Sequence, residues 1–376
     1  MEHNQYSEQW KKLTGLTEKR KTPDPEAMAE ARRRLDAIAK PLDGLGLFET
    51  MIERIAGMQG SAEVQTDPAM LLVFCADNGI VEEGVTQSDA SVTAAVAGSL
   101  GRGTSSVCRM APTAGIDVQA VNIGIRDMLD GIDGGKKVRE HCIRRGTRNF
   151  RKAPAMTPEE TCAAICLGMD LAKEYYERGY RILLTGEMGI GNTTTSAAMA
   201  AVLCGVSTDT VTGRGAGLDD AGLQRKRDVI REGLKLHGFD VSDGALTEPE
   251  DVFRLLCCVG GLDIAGMAGV FLGGMLYGIP VVIDGVISAV AALTAERMFP
   301  GCRAYMLASH QGKEPAMQCL LDALGSEAPI HANLALGEGT GAVMLLPLLR
   351  MALAVYQGNT GFDALGMDAY ERYTRS

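Results

Sequence analysis

The 376-residue sequence predicts an α/β protein: a doubly wound, mostly parallel sheet preceded by an accessory helical unit. Three observations carry this. From Met70 onward, short apolar runs end in a small or acidic residue and each leads into a helical stretch. Parallel neighbours require such crossovers and are buried on both faces. The 46 glycines, set against only 8 Phe, 9 Tyr and 1 Trp, mean many tight turns and close backbone approaches, which suit a layered α/β protein better than a β sandwich. The first 60 residues are instead charged and periodic, without strand runs.

In chain order, two or three helices are expected in that opening segment, broken at Pro23 and Pro25. Strands are expected over 71–76, 118–125, 182–185, 281–283, 304–308 and 332–336, with polar connections at 61–68, 128–140 and 325–329. Residues 264–283 carry no charge and contain Gly269-x-x-x-Gly273, imitating a membrane span. Gly278-Ile279-Pro280 is a helix stop and Val281-Val282-Ile283-Asp284 a buried strand, so the run divides into a core helix and a strand. A terminal apolar helix begins around 343–349.

A net charge of -10 argues against nucleic acid, whose binders gain affinity from clustered Lys and Arg. The basic stretch Arg144 to Lys152 reads equally as an attractor of anionic substrate and as a solvent-facing loop. Ten cysteines without CxxC pairs suit reduced, mostly buried thiols, and the polar start has no apolar signal region, so a cytoplasmic protein is expected, with no membrane partner. No His, Cys or carboxylate cluster has metal spacing, and neither metal nor cofactor is expected.

In a doubly wound sheet the site lies beyond the carboxyl ends of the strands. After 182–185 comes Gly186-Glu187-Met188-Gly189-Ile190-Gly191-Asn192-Thr193-Thr194, entering an Ala-rich helix: exposed amides and a helix start make a seat for an anion. It is no Walker loop, since no Lys follows the last Gly, and the acidic residue of a dinucleotide site is missing, which disfavours an oxidoreductase. Gly213-Arg214-Gly215-Ala216-Gly217 ahead of Asp219-Asp220 reads equally as a second such loop and as a tight turn with an acidic helix start. Leu336-Gly337-Glu338-Gly339-Thr340-Gly341 sets one carboxylate between glycines, a candidate general base. Other groups expected at strand ends are Asp77-Asn78, Asp263, Asp284 and Ser309-His310, with His310 read as a packed or capping residue in preference to a catalyst.

Taken in order, Lys40-Pro41 with Gly44-Leu45-Gly46 and Glu49, Ala76-Asp77-Asn78-Gly79, Pro154-Ala155-Met156-Thr157, the Gly186 to Thr194 loop, Gly213-Arg214-Gly215, Gly260-Gly261-Leu262-Asp263 and the Leu336 to Gly341 loop resemble the nicotinate-nucleotide dimethylbenzimidazole phosphoribosyltransferases, across roughly residues 35–350. The resemblance implies a homodimer with a Rossmann-like large domain at 66–345 and a smaller helical domain built from 1–65 and 346–376. It implies transfer of the phosphoribosyl group of nicotinate mononucleotide to an aromatic base, as in assembly of the lower ligand of cobalamin. Matched by motif, Glu338 is the general base, and Glu187, Gly189, Gly191, Asn192, Thr193, Gly215, Asp263, Ser309 and Gly337 surround the substrates. Asp77, Thr86, Ala90 and Gly98 mark the acceptor pocket. Departures fall on that side: Asn78 replaces a common His, Ala90 and Gly98 replace polar contacts, and Ala316-Met317 replaces Gly-His. A purine or phenolic acceptor is therefore an alternative, as is a non-catalytic nucleotide-binding relative, though a sensor would need no residue like Glu338.

Overall fold

The computed structural model describes residues 2–127 and 138–373. Three helices come first, α1 (Glu2–Leu16), α2 (Pro25–Ala37) and α3 (Leu47–Gln59), separated by the Pro-containing break expected from the sequence. Asp24 starts α2 by accepting from the amides of Glu26 and Ala27, with Pro25 in the first turn, where its missing N–H costs nothing.

The first half of the sheet region contains β1 (Ala69–Ala76), α4 (Ser91–Arg102), α5 (Ser106–Met110), β2 (Ile116–Gly124), β3 (Arg139–Glu140) and α6 (Pro158–Glu177). The second half begins with β4 (Ile182–Met188), α7 (Asn192–Cys204), α8 (Thr208–Val211), α9 (Asp220–Leu236), α10 (Pro249–Val259) and α11 (Leu262–Tyr277). It ends with β5 (Val281–Ile283), α12 (Val286–Met298), β6 (Met306–Ala308), α13 (Met317–Leu324) and α14 (Thr340–Gly358).

All neighbouring strands are parallel, in the order β3-β2-β1-β4-β5-β6. The chain winds outward from β1 in one direction, then returns to place β4 on the other side of β1. The crevice beyond that reversal is where such sheets hold ligands. Helices α11 and α12 pack on the strands and on each other, α6 packs on α11, and α4 and α14 also pack on the strands.

Two expected strands change. Residues 304–308 yield only the three-residue β6, because Cys302–Tyr305 forms a 3-10 turn. Residues 332–336 form no strand: Asn333 has φ 53°, Leu336 is 56% exposed, and the nearest pairing is an isolated bridge between His310 and Ile330. The apolar run reads like a buried strand, but it lies along the mouth of a cavity. Short β3 escaped notice because two polar residues carry no periodicity; the connection expected at 128–140 falls mostly outside the described residues.

The charge-free stretch divides as expected into α11, buried over most of its length, and β5. Its glycines have a soluble-core purpose. A methyl at Gly269 would overlap the carbonyl of Ile165, and one at Gly168 would overlap that of Gly266, so α6 and α11 cross backbone to backbone. Gly269→Ala is expected to destabilise the fold by about 1–3 kcal/mol through overpacking, read as a lower urea midpoint; an unchanged midpoint would contradict this packing. Helix α14 is long and apolar enough to span a membrane by length and composition, yet half of it is buried in the protein.

The chain ends meet. The Ala39 amide donates to Thr360 O at 3.0 Å, the Phe362 amide to Ala37 O at 3.0 Å, and Arg372 bridges Asp36 and Asp43, each at 2.7 Å. Helix α1 packs instead on α6 and α10, while α14 runs unbroken through residue 346. The Lys40 and Glu49 side chains of the first family motif form a buried pair at 2.7 Å, giving that motif a structural role.

Candidate active site

A cavity of about 280 Å³ opens at the carboxyl ends of β4, β5 and β6. Strand β4 supplies Glu187 and then turns through Gly189-Ile190-Gly191 into α7. Only glycine fits at 189, where a methyl would meet Ala76 O, and Gly191 has φ 92°. No side chain caps α7, so its first turn points the positive end of its dipole and the Thr193 amide toward the cavity, the Asn192 amide being taken by Gly189 O at 3.3 Å. Gly215 of the second glycine loop closes on the same spot, with φ 52° and room for a Cβ only 3.0 Å from Thr193 Oγ1.

Beneath this turn lies Lys226 of α9, which no sequence motif singles out. It is fully buried, and its Nζ donates to Thr193 Oγ1 at 2.9 Å. Burial pushes its ammonium down to about 8, with Glu314 opposing the shift. A buried cation with one neutral partner, behind an uncapped helix start, is a strong seat for phosphate. Its position on an amphipathic helix looks like ordinary surface charge; the residues packed around it decide otherwise.

Opposite are carboxylates. Asn192 Nδ2 donates to Asp263 Oδ2 at 3.2 Å and to Glu187 Oε2, tying the two acids through one amide. Burial, reinforced by Asp263, pushes Glu187 up to about 8, and burial pushes Asp263 up to about 6. Because both are raised, the folded chain holds more protons than the unfolded chain above the usual carboxyl range. Their contribution to stability is present at low pH and is lost as pH rises through about 6 and then about 8. Glu187→Gln, neutral at every pH, is expected to flatten the upper part of that decline in urea midpoints; an unaltered decline would rule out Glu187 as its source.

The third glycine loop crosses over β4. Glu338 N–H donates to Glu187 O at 3.2 Å, and Gly186 permits the approach because a methyl there would lie 2.8 Å from the Glu338 carbonyl. Glu338 itself has φ 59°. Its side chain is not on the cavity wall: Oε2 accepts from the Val107 amide of α5 at 3.0 Å, on the side where α4 and α5 stand. Gly337 does line the cavity. The loop thus separates a cavity holding Glu187 from a second side holding the Glu338 carboxylate.

Of the other expected site residues, Glu187, Gly189, Asn192, Thr193, Gly215 and Gly337 are brought together around the cavity. Asp263 stands behind Asn192, and Gly191 shapes the turn without reaching the wall. Ser309 is fully buried behind His310, its Oγ 2.9 Å from His310 Nδ1; His310, expected to be packed or capping, is buried yet on the wall. The proposed acceptor residues lie away from this cavity. Asp77 accepts from the Arg126 amide at 2.8 Å, Ala90 precedes α4, Gly98 is buried within it, and Thr86 accepts from the Ser88 amide at 3.3 Å. Ala316 and Met317 are core residues at the start of α13, so that departure does not touch the cavity. Four cations of the basic segment are already paired: Arg144 and Arg148 with Glu160, Arg151 with Glu83 and Glu232, and Lys152 with Glu82.

A phosphoribosyltransferase family model matches residues 21–366 of the chain. The chain belongs to this phosphoribosyltransferase family. The nicotinate-nucleotide–dimethylbenzimidazole phosphoribosyltransferase of Acetivibrio thermocellus is 38% identical over 346 residues, covering 92% of this chain and 95% of that one. The Pseudomonas putida protein of the same name is 39% identical over 333 residues, covering 89% and 92%. Among solved structures, CobT from Thermus thermophilus superposes with a TM-score of 0.83 at 34% identity, covering 92% of this phosphoribosyltransferase and 99% of CobT.

Proposed function

We propose that this phosphoribosyltransferase moves the phosphoribosyl group of nicotinate mononucleotide to a ring nitrogen of a benzimidazole-type base, giving an α-ribazole phosphate and nicotinate. The reading rests above all on a buried lysine under an uncapped helix start, beside a glycine loop that carries carboxylates on both of its sides. Phosphate sits on the first turn of α7 with Lys226 and Thr193, which leaves the ribose beside Glu187.

In the donor the pyridine nitrogen is already cationic. When the bond from C1′ to that nitrogen breaks, the electron pair returns to the ring, which departs neutral and needs no proton. The incoming ring nitrogen forms the new bond to C1′ and becomes positive. Its other nitrogen then gives its proton to Glu338, whose carboxylate accepts it from the α4–α5 side. Glu187 and the neighbouring acids favour positive charge developing on the ribose, and holding donor and acceptor in line removes much of the entropic barrier.

The helical ends 1–65 and 346–376 make a smaller domain around the 66–345 core, a division supported by the pairing of residues 37–39 with 360–362. A homodimer is supported by the apolar stripe of α14, where Met344, Leu348 and Met351 are 41%, 40% and 67% exposed at helical spacing. Free thiols at all ten cysteines suit the reducing cytoplasm. The decisive assay incubates purified protein with nicotinate mononucleotide and a panel of benzimidazoles, purines and phenols, with products identified by mass. A ribosylated benzimidazole supports the reading, a ribosylated purine or phenol corrects the acceptor, and no ribosylated product from any base overturns it.

A further inference from the structure

Helix α6, which contributes no residue to the cavity wall, carries two thiols on one face. Cys162 and Cys166 lie one turn apart, and their sulfurs stand 4.0 Å from each other. Cys162 is 1% exposed and Cys166 is partly exposed, so solvent reaches the pair from the Cys166 side. Helix α1 packs on α6 and brings the Lys12 ammonium near enough for its charge to act on both sulfurs. The two cysteines of α10 are otherwise placed: Cys257 is fully buried, and Cys258 Sγ lies 3.7 Å from the Tyr6 hydroxyl.

Helical neighbours four residues apart hold their Cβ atoms about 5–6 Å apart, whereas a disulfide needs about 3.5–4.5 Å. The two thiols therefore do not join directly while α6 stays helical. A single atom between them does fit. Two metal–sulfur bonds of about 2.3 Å each span about 4.6 Å when in line, only slightly more than the 4.0 Å already present. Among the described residues no group of three or more His, Cys, Asp or Glu side chains could hold a metal, which excludes the four-donor shell of a structural zinc site. Thiolates select soft ions such as copper(I), and a closed-shell monovalent ion of that kind is satisfied by two of them in line.

We propose that Cys162 and Cys166 form a two-coordinate thiolate site for a soft monovalent cation of the copper(I) class. On binding, both S–H bonds break, two metal–sulfur bonds form and two protons leave to solvent, with no change of oxidation state. The resulting complex carries one negative charge, and Lys12 supplies a positive charge beside it. The bridge spans one turn of the helix that crosses α11 backbone to backbone, so occupancy stabilises the folded chain by mass action. The site is independent of the transfer reaction proposed above.

The test titrates copper(I) into the reduced full chain without oxygen, against a chromogenic copper(I) chelator. Wild-type protein is expected to take up one tight equivalent, and Cys166→Ala to hold it at least about 100-fold more weakly, the upper limit for loss of a mere supporting neighbour of a metal ligand. Cys162→Ser is expected to do the same; since Cys162 is buried and that variant can misfold, two further measurements stand beside it. In wild-type protein, one equivalent of copper(I) is expected to block iodoacetamide at Cys166 while the partly exposed Cys108 and Cys142 stay reactive. It is also expected to raise the urea midpoint of wild-type protein and not that of Cys166→Ala. A smaller loss of affinity in Cys166→Ala, a first equivalent that protects other cysteines instead, or an equal rise in both midpoints overturns the proposal. So does displacement of the copper by zinc(II) at the same concentration, because zinc requires donors that this pair lacks.

Discussion

Glu338→Gln is expected to lower kcat by roughly 10²–10⁴-fold, the usual worth of a positioned proton acceptor, while leaving the KM for nicotinate mononucleotide nearly unchanged. The split follows from the geometry. The carboxylate of Glu338 lies outside the cavity, bonded to the Val107 amide, so the donor does not depend on it. Glutamine keeps an oxygen for that amide and preserves the loop, but it takes no proton. The amide is also isosteric, and the residue keeps its φ of 59°, so folding is little affected. Steady-state kinetics with a benzimidazole acceptor check this. A variant with unaltered kcat would remove Glu338 from proton transfer, and one with a sharply raised donor KM would put its carboxylate in the phosphoribosyl seat.

Lys226→Met is expected to act in the opposite sense, raising the donor KM by roughly 10–100-fold, as a charge-assisted hydrogen bond of about 1.5–3 kcal/mol is lost. In free enzyme the ammonium is buried with Thr193 as its one direct partner among the described residues, so replacing it by an apolar chain of similar length is expected to raise the urea midpoint. Tighter folding with weaker donor binding distinguishes a functional lysine from a structural one. The pH dependence follows from its position. Lys226 is protonated below about 8 and neutral above it, so wild-type donor KM is expected to rise as pH passes upward through that value, and Lys226→Met to show no such rise. A variant that is both less stable and unchanged in KM would assign the lysine to the core.

Much of this arrangement was legible along the chain. The parallel strands at 71–76, 182–185 and 281–283 announced themselves as apolar runs followed by helices, because a strand covered on both faces has no polar alternation to confuse it. The same rule misled at 332–336, where Leu334 and Leu336 line an opening and only the loop's exposure reveals it. Glycine loops at 186–191, 213–217 and 337–341 were visible because clustered glycines mark positive φ or close backbone approach, and all three meet at one crevice. The burial of Lys226 and the place of His310 on the cavity wall were not visible. A lysine within a charged helix and a histidine after a strand look alike whether they face water, core or ligand.

What the sequence determined by itself was the set of turns: which residues lack side chains, which acids sit among them, and at which strand ends they fall. Those are local properties, settled by backbone sterics within a few residues. Tertiary packing alone decided which charged groups lose their water. Lys226, Glu187 and Asp263 carry shifted proton affinities, and Glu338 turns toward α5, because helices and loops distant in sequence close over them, and desolvation depends on everything within reach and not on neighbours along the chain.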